Sequence, residues 1–137
     1  AQYTDNIKRN MEITRRGRFY LEKGDPRIAF GYPQGSAVHD YVAFRFELGE
    51  GILTGEVAHS YQEFLGLAGR IDSRSLVFHL YRGDFDAWFE EVFRDKRIGG
   101  RIARLKMIQQ SPDKIRSKLV SILTERIGEI SKQKEER

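Results

Sequence analysis

Between Tyr41 and Leu48 the chain reads YVAFRFEL, with Val42, Phe44, Phe46 and Leu48 at every second position. A period of two sends those four side chains to one face of an extended segment, and Tyr41, Ala43, Arg45 and Glu47 to the other. The stretch is therefore a strand with one apolar and one mixed face. Gly49-Glu50-Gly51 breaks it, and the apolar side demands a covering layer.

Other segments sort in the same way. Arg15 to Glu22 alternates, Gly24-Asp25 signals a tight turn, and Arg27 to Pro33 reads as the returning strand. Pairing about that turn sets Phe19 against Phe30 and Leu21 against Ile28 on the core face. Arg18 then faces Gly31, Tyr20 faces Ala29 and Glu22 faces Arg27 on the mixed face. Ser75 to Tyr81 (SLVFHLY) alternates again and is predicted as a fourth strand, with Ser75, Val77, His79 and Tyr81 outward.

Helical periodicity fills the rest. Thr54 is expected to cap a helix to about Ala68, with Val57, Tyr61, Phe64 and Leu65 in its stripe. Asp84 is expected to cap a helix that turns Phe85, Trp88, Phe89 and Val92 inward. Asp95 opens another, with Ile98, Ile102, Leu105 and Ile108. Ser111-Pro112 starts the last, which carries Ile115, Leu119, Ile122, Leu123, Ile127 and Ile130 and runs to about Lys132. The order βββ-α-β-ααα predicts an α+β fold: a four-stranded antiparallel sheet packed by helices, ending in an amphipathic C-terminal helix. Residues 1–110 are read as the binding domain and 111–137 as that last helix with a frayed tail.

No run approaches the ~20 apolar residues of a membrane span. The chain has no cysteine, which excludes disulfides, thiolate metal sites and Cys nucleophiles. His39, His59 and His79 show no metal-ligand spacing, and no phosphate-loop or nucleophile-elbow motif occurs. The expectation is a cytoplasmic protein that is not an enzyme and has no cofactor and no metal.

Net charge is +4, unevenly spread. Residues 1–46 carry eight Lys/Arg against five Asp/Glu, 47–93 three against nine, and 94–137 thirteen against six. Two basic regions flanking an acidic middle suit a polyanion partner, though solvated helix faces produce the same pattern. The mixed sheet face would gather Arg16, Arg18, Tyr20, Arg27, Ala29, Gly31, Tyr41, Ala43, Arg45, His79 and Tyr81. Arginines neutralise phosphates, flat rings stack on bases at about 1–3 kcal/mol each, and the small residues leave room between them. Half-wet strands also carry Arg and Tyr for ordinary reasons, and a helix could cover this face. Arg94 to Lys106 is either a solvated helix face or a second phosphate contact.

The segments RRGRFYLEKGDPRIAFGYP, YVAFRFELGEGILTGEVAHSYQEFL and SLVFHLYRGDFDAWFEEVF resemble the ThermoDBP and ThermoDBP-related proteins, archaeal single-stranded-DNA-binding proteins of hyperthermophiles. The likeness covers roughly residues 10–132. FHLYRGDFDAWF is also similar to a wider archaeal family of unknown function. The resemblance implies a cleft lined by aromatic side chains and rimmed by basic ones, which receives single-stranded DNA or RNA. It also implies a homodimer or homotetramer formed through the C-terminal helix. Carried over, Tyr20, Tyr41, Tyr81 and Phe19 or Phe30 would stack bases, while Arg16, Arg18, Arg27 and Arg45 would meet phosphates. If the cleft lies between sheet and helices, Phe30, Tyr32, Phe44 and Trp88 are the better candidates. A protein-interaction module without nucleic-acid affinity is the competing expectation.

Overall fold

The computed structural model describes residues 31–135. A short 3-10 turn at Asp40–Val42 precedes two strands, β1 (Phe44–Gly49) and β2 (Ile52–Ala58). Five helices follow: α1 (Tyr61–Ala68), α2 (Ser73–Arg82), α3 (Asp84–Val92), α4 (Lys96–Leu105) and α5 (Pro112–Glu135). β1 and β2 pair antiparallel and are the whole sheet among the described residues. The expected four-stranded sheet is thus corrected to a two-stranded hairpin in a helix-rich α+β fold. The predicted strand at Arg15–Glu22 and most of Arg27–Pro33 lie outside the described residues.

The predicted fourth strand is helix α2. In SLVFHLY, Leu76 and Leu80 satisfy a period of two and a spacing of four alike, so alternation alone does not decide between strand and helix. The ends decide it. The Asp72 carboxylate accepts from the Arg74 N–H at 2.9 Å, and Gly83 takes a left-handed φ of 79° after the last turn. Ser75, Leu76, His79 and Leu80 are the buried face, which is a helical pattern.

Thr54 does not cap a helix. Its hydroxyl donates to the Phe46 carbonyl at 2.9 Å and accepts from the Glu56 N–H at 3.0 Å within the hairpin. Gly55, at φ 87°, lets β2 absorb the register shift between the pairs Arg45/Val57 and Glu47/Leu53. Helix α1 begins six residues later, where the Ser60 hydroxyl accepts from the Glu63 N–H at 3.1 Å.

Val42, Phe44 and Phe46 lie in the core as the alternation predicts, but Leu48 is only half-buried, and Ala43 and Glu47 of the expected mixed face are buried as well. Phe64 stacks on Trp88 at 5.7 Å, and the Trp88 indole N–H donates to the Val42 carbonyl at 2.8 Å. That bond ties α3 to the entry of the sheet and satisfies a donor that burial would otherwise leave costly. α3 and α4 cross closely at Gly99, where any Cβ would run into Cγ of Glu90.

α5 packs on α1, α2 and α4. Ile115, Leu119, Leu123 and Ile130 are covered by the domain itself, while Ile122 and Ile127 are half-buried. Arg116 anchors it further, its guanidinium donating to the Ala68 and Ile71 carbonyls at 2.9 and 2.6 Å. Among the described residues no helix is long and apolar enough to cross a membrane.

Candidate nucleic-acid interface

Arg16, Arg18, Phe19, Tyr20, Arg27 and Phe30 lie outside the described residues. Tyr32, Tyr41, Arg45, His79 and Tyr81 are placed, but not on a common sheet face, because two of them sit on a helix. Tyr41 is half-buried, with its ring 5.1 Å from that of His39. Arg45 donates to the Asp40 carboxylate at 2.7 Å and to the Asp40 carbonyl at 3.0 Å. Tyr81, at the end of α2, is 40% exposed, and its hydroxyl donates to the Ile108 carbonyl at 3.1 Å.

His79 does not face outward as expected; it is buried. Its Nε2 accepts from the Glu47 N–H at 2.8 Å, so the proton sits on Nδ1 and is donated to the Asp84 carboxylate at 2.7 Å. The imidazole bridges β1, α2 and α3 and has no face to offer a base. It is a joint of the core.

A second polar junction is also buried. Asp95 accepts from the Tyr61 hydroxyl at 2.8 Å, from the Arg126 guanidinium at 2.9 Å and from the Ile98 N–H at 3.3 Å. One carboxylate thus caps α4 and fastens it to α1 and α5. Burial and the neighbouring Asp95 charge push the Tyr61 hydroxyl far up. Burial works most strongly against the charge on Arg126, but the bonds and charge of Asp95, with the Glu129 bond and Tyr61, together outweigh it and its pKa rises. The same guanidinium donates to Gln34 at 2.8 Å and to Glu129 at 3.1 Å.

At the surface, His59 lies between two carboxylates. Its Nδ1 is 3.0 Å from Glu63 and its Nε2 3.0 Å from Asp40. Both nitrogens donate only in the imidazolium form, so the bond to Asp40 chiefly raises the His59 pKa. Asp40 is lowered by His59 and then by Arg45, and Glu63 by the backbone N–H and ring of His59. With the Val38 N–H donating to the His59 carbonyl at 2.8 Å, the network clasps the segment before β1 to the start of α1.

The concave site lies at the other end of that segment. A cleft of about 380 Å³ opens between the chain at Tyr32–Gln34, the turn at Phe93–Arg94, and Ile130, Gln133 and Lys134 near the end of α5. Tyr32 and Phe93 line it but are themselves almost fully covered. The exposed walls are Pro33, Arg94, Gln133 and Lys134, with Gln34 half-exposed. Because the Gln34 amide oxygen is taken by Arg126, its NH₂ group is left to donate. The Tyr32 N–H donates to the Val92 carbonyl at 2.8 Å and holds this segment to the end of α3.

Arg94 is held in an unusual conformation. Its φ of 54° is the only left-handed value at a non-glycine position among the described residues. It follows α3, where glycine is the usual occupant. Gly31 makes room for it, since a Cβ there would come within 2.6 Å of Cγ of Arg94. An L-residue in this region costs on the order of 1–2 kcal/mol. That cost sets an arginine on the rim of the cleft.

Of the cleft residues, Tyr32 was anticipated as a site residue, and Arg94 only as the start of a basic run. Gln34, Phe93, Gln133 and Lys134 carry no motif and meet only when the fold brings the two ends of the described chain together. The left-handed turn at Arg94 has no local signal, because arginine is not a residue that announces one. Among the described residues, no group of three or more His, Cys, Asp or Glu is placed to hold a metal. No family model, curated protein or solved structure matches this chain.

Proposed function

We propose that the chain binds single-stranded nucleic acid, DNA in the first instance, without reading sequence and without catalysis. The observation that carries this reading is the cleft: two cations and two amides on its walls beside the almost fully covered Tyr32 and Phe93, and a volume at the lower end of the range for small-ligand sites. The amides of Gln34 and Gln133 meet the polar rim of a base in any sequence. Arg94 and Lys134 meet the phosphate that follows it. Duplex is a poor ligand on this reading, because the edges of paired bases are already engaged with each other.

Residues 1–30 carry seven Lys/Arg against four Asp/Glu, and residues 94–137 thirteen against six, a basic balance that suits a polyanionic ligand. Such a ligand gives strong salt dependence.

Fluorescence anisotropy with labelled oligo-dT at about 50 and about 200 mM salt tests the reading. Binding at low micromolar protein that weakens steeply with salt is expected. The double variant Gln133→Glu, Lys134→Glu, which alters only exposed side chains, weakens it at least about tenfold at low salt. No binding at low salt overturns the proposal. The competing role is a protein-docking module, which the exposed Met107 and Ile108 favour. It predicts no oligonucleotide affinity at all.

A further inference from the structure

α4 starts beside the cleft and ends at an exposed aromatic. Its N-terminal flank is Phe93-Arg94-Asp95, of which the first two line the cleft. Its C-terminal flank is Lys106-Met107-Ile108, and the Ile108 carbonyl accepts from the Tyr81 hydroxyl at 3.1 Å. Tyr81, Met107 and Ile108 are 40%, 80% and 60% exposed, three of the five large apolar side chains most open to solvent among the described residues. The ten residues of α4 span about 15 Å.

The face between these ends is basic and open. Ile98, Gly99, Ile102 and Leu105 are buried. Spacings of three and four residues place Lys96, Arg97, Gly100, Arg101 and Arg104 on the opposite side. Arg101 is paired with Glu129 at 3.0 Å, and Lys106 with Asp86 at 2.8 Å. Among the described residues, no carboxylate is within ion-pair distance of Lys96, Arg97 or Arg104, all three of which are exposed. Gly100 adds no side chain, and a Cβ there would touch nothing. A solvated helix face normally mixes both signs or pairs its charges, whereas on this one only Arg101 is paired among the described residues, and three cations stand without a carboxylate between two places where a base can rest.

We propose that the cleft is one end of an extended site, and that a single strand runs from it along α4 to Tyr81. Lys96, Arg97 and Arg104 meet successive phosphates, and the last base stacks on the Tyr81 ring against Met107 and Ile108. At the duplex rise of about 3.4 Å per nucleotide, α4 covers at most about four nucleotides, and fewer when the strand is extended. With one base at each end the site takes about four to six, the small end of the range for sequence-tolerant binders. The Tyr81 hydroxyl bond to Ile108 fixes the ring plane, so little side-chain freedom is lost when a base stacks on it.

This inference rests on the single-strand reading above, and the experiment separates the two. Anisotropy is measured with a ladder of labelled oligo-dT from about two to about twelve nucleotides. Affinity is expected to climb with length and level off near six. The triple variant Lys96→Glu, Arg97→Glu, Arg104→Glu lowers affinity for the longest strand at least about tenfold. It also flattens the log-log salt slope by about 2, at roughly 0.7 per phosphate contact, and leaves the dinucleotide unaffected. Tyr81→Ala costs about fivefold to a hundredfold on long strands, whereas Tyr81→Phe, which keeps the ring, restores them. All these side chains are exposed, and an unchanged melting temperature verifies the fold. Affinity that levels off at two nucleotides overturns the extended site and leaves the cleft standing. So does long-strand binding indifferent to both the triple variant and Tyr81→Ala. Failure of every length to bind overturns the single-strand reading itself.

Discussion

Two polar clusters in this molecule use the same chemistry in opposite surroundings. Around Asp95, a carboxylate, an arginine and a tyrosine hydroxyl are sealed between α1, α4 and α5. Around His59, an imidazole, two carboxylates and Arg45 stand in water at the start of α1. The distances are alike, near 3 Å in both. Their worth is not, because a buried charge stripped of its partner has no water to turn to, while an exposed one exchanges its partner for solvent at little cost. The buried cluster sets where the helices sit. The exposed one adjusts how firmly a connecting segment is held.

The sharpest way to break this comparison is Arg126→Ala. It leaves Asp95 buried with a weaker set of donors and should cost about 3–5 kcal/mol in urea unfolding. A loss under about 1 kcal/mol would put the junction on a par with a surface pair. Tyr61→Phe removes one donor to the same carboxylate and should cost about 1.5–3 kcal/mol, the range for hydrogen bonds to a charged group. Arg94→Gly touches the adjoining turn with the opposite sign. It should raise stability by about 1 kcal/mol by relieving the left-handed arginine, while oligo-dT affinity falls. A variant that gains stability and keeps full affinity would remove Arg94 from the site.

The smallest effect is expected at His59, and it depends on pH. The His59 pKa is raised, so its contribution is complete below its ordinary value of 6.5 and is lost as pH rises through the raised one. The pKa values of Asp40 and Glu63 are lowered, so their contributions are complete above 3.8 and 4.5 and are lost as pH falls through the lowered values. The clasp is therefore firmest at mildly acidic pH. Melting curves of the wild type and His59→Gln should differ most there and converge on the alkaline side. A gap of constant size across that range would show that His59 acts only by packing.

Legibility in the sequence followed the same division between local and distant. β1 was readable because Phe44 and Phe46 alternate into the core while Arg45 between them stays half-exposed. The caps at Asp95 and Ser111 were readable because a side chain and a backbone donor three residues on suffice to make them. The register of SLVFHLY was not, since leucines four apart serve a strand and a helix equally. The deciding Asp72 and Gly83 stand outside the alternating stretch. Arg126 looked like an interruption of the α5 stripe, yet it fills a core position because Asp95 lies 31 residues away in sequence and 2.9 Å away in space. The cleft follows the same rule, since its walls come from both ends of the described chain.

Gly83 ends α2 and begins α3 with a single residue at φ 79°. The two helices share one pivot and no slack. A residue inserted there would rotate α3 by about 100° against α2. Asp84 would swing away from His79, and the Trp88 indole from the Val42 carbonyl. The corner thus fixes the length of the chain as strictly as the pairing of Asp84 with His79 fixes its chemistry. Length variation in this chain belongs elsewhere, in the exposed turn at Glu50 or the connection at Gln109.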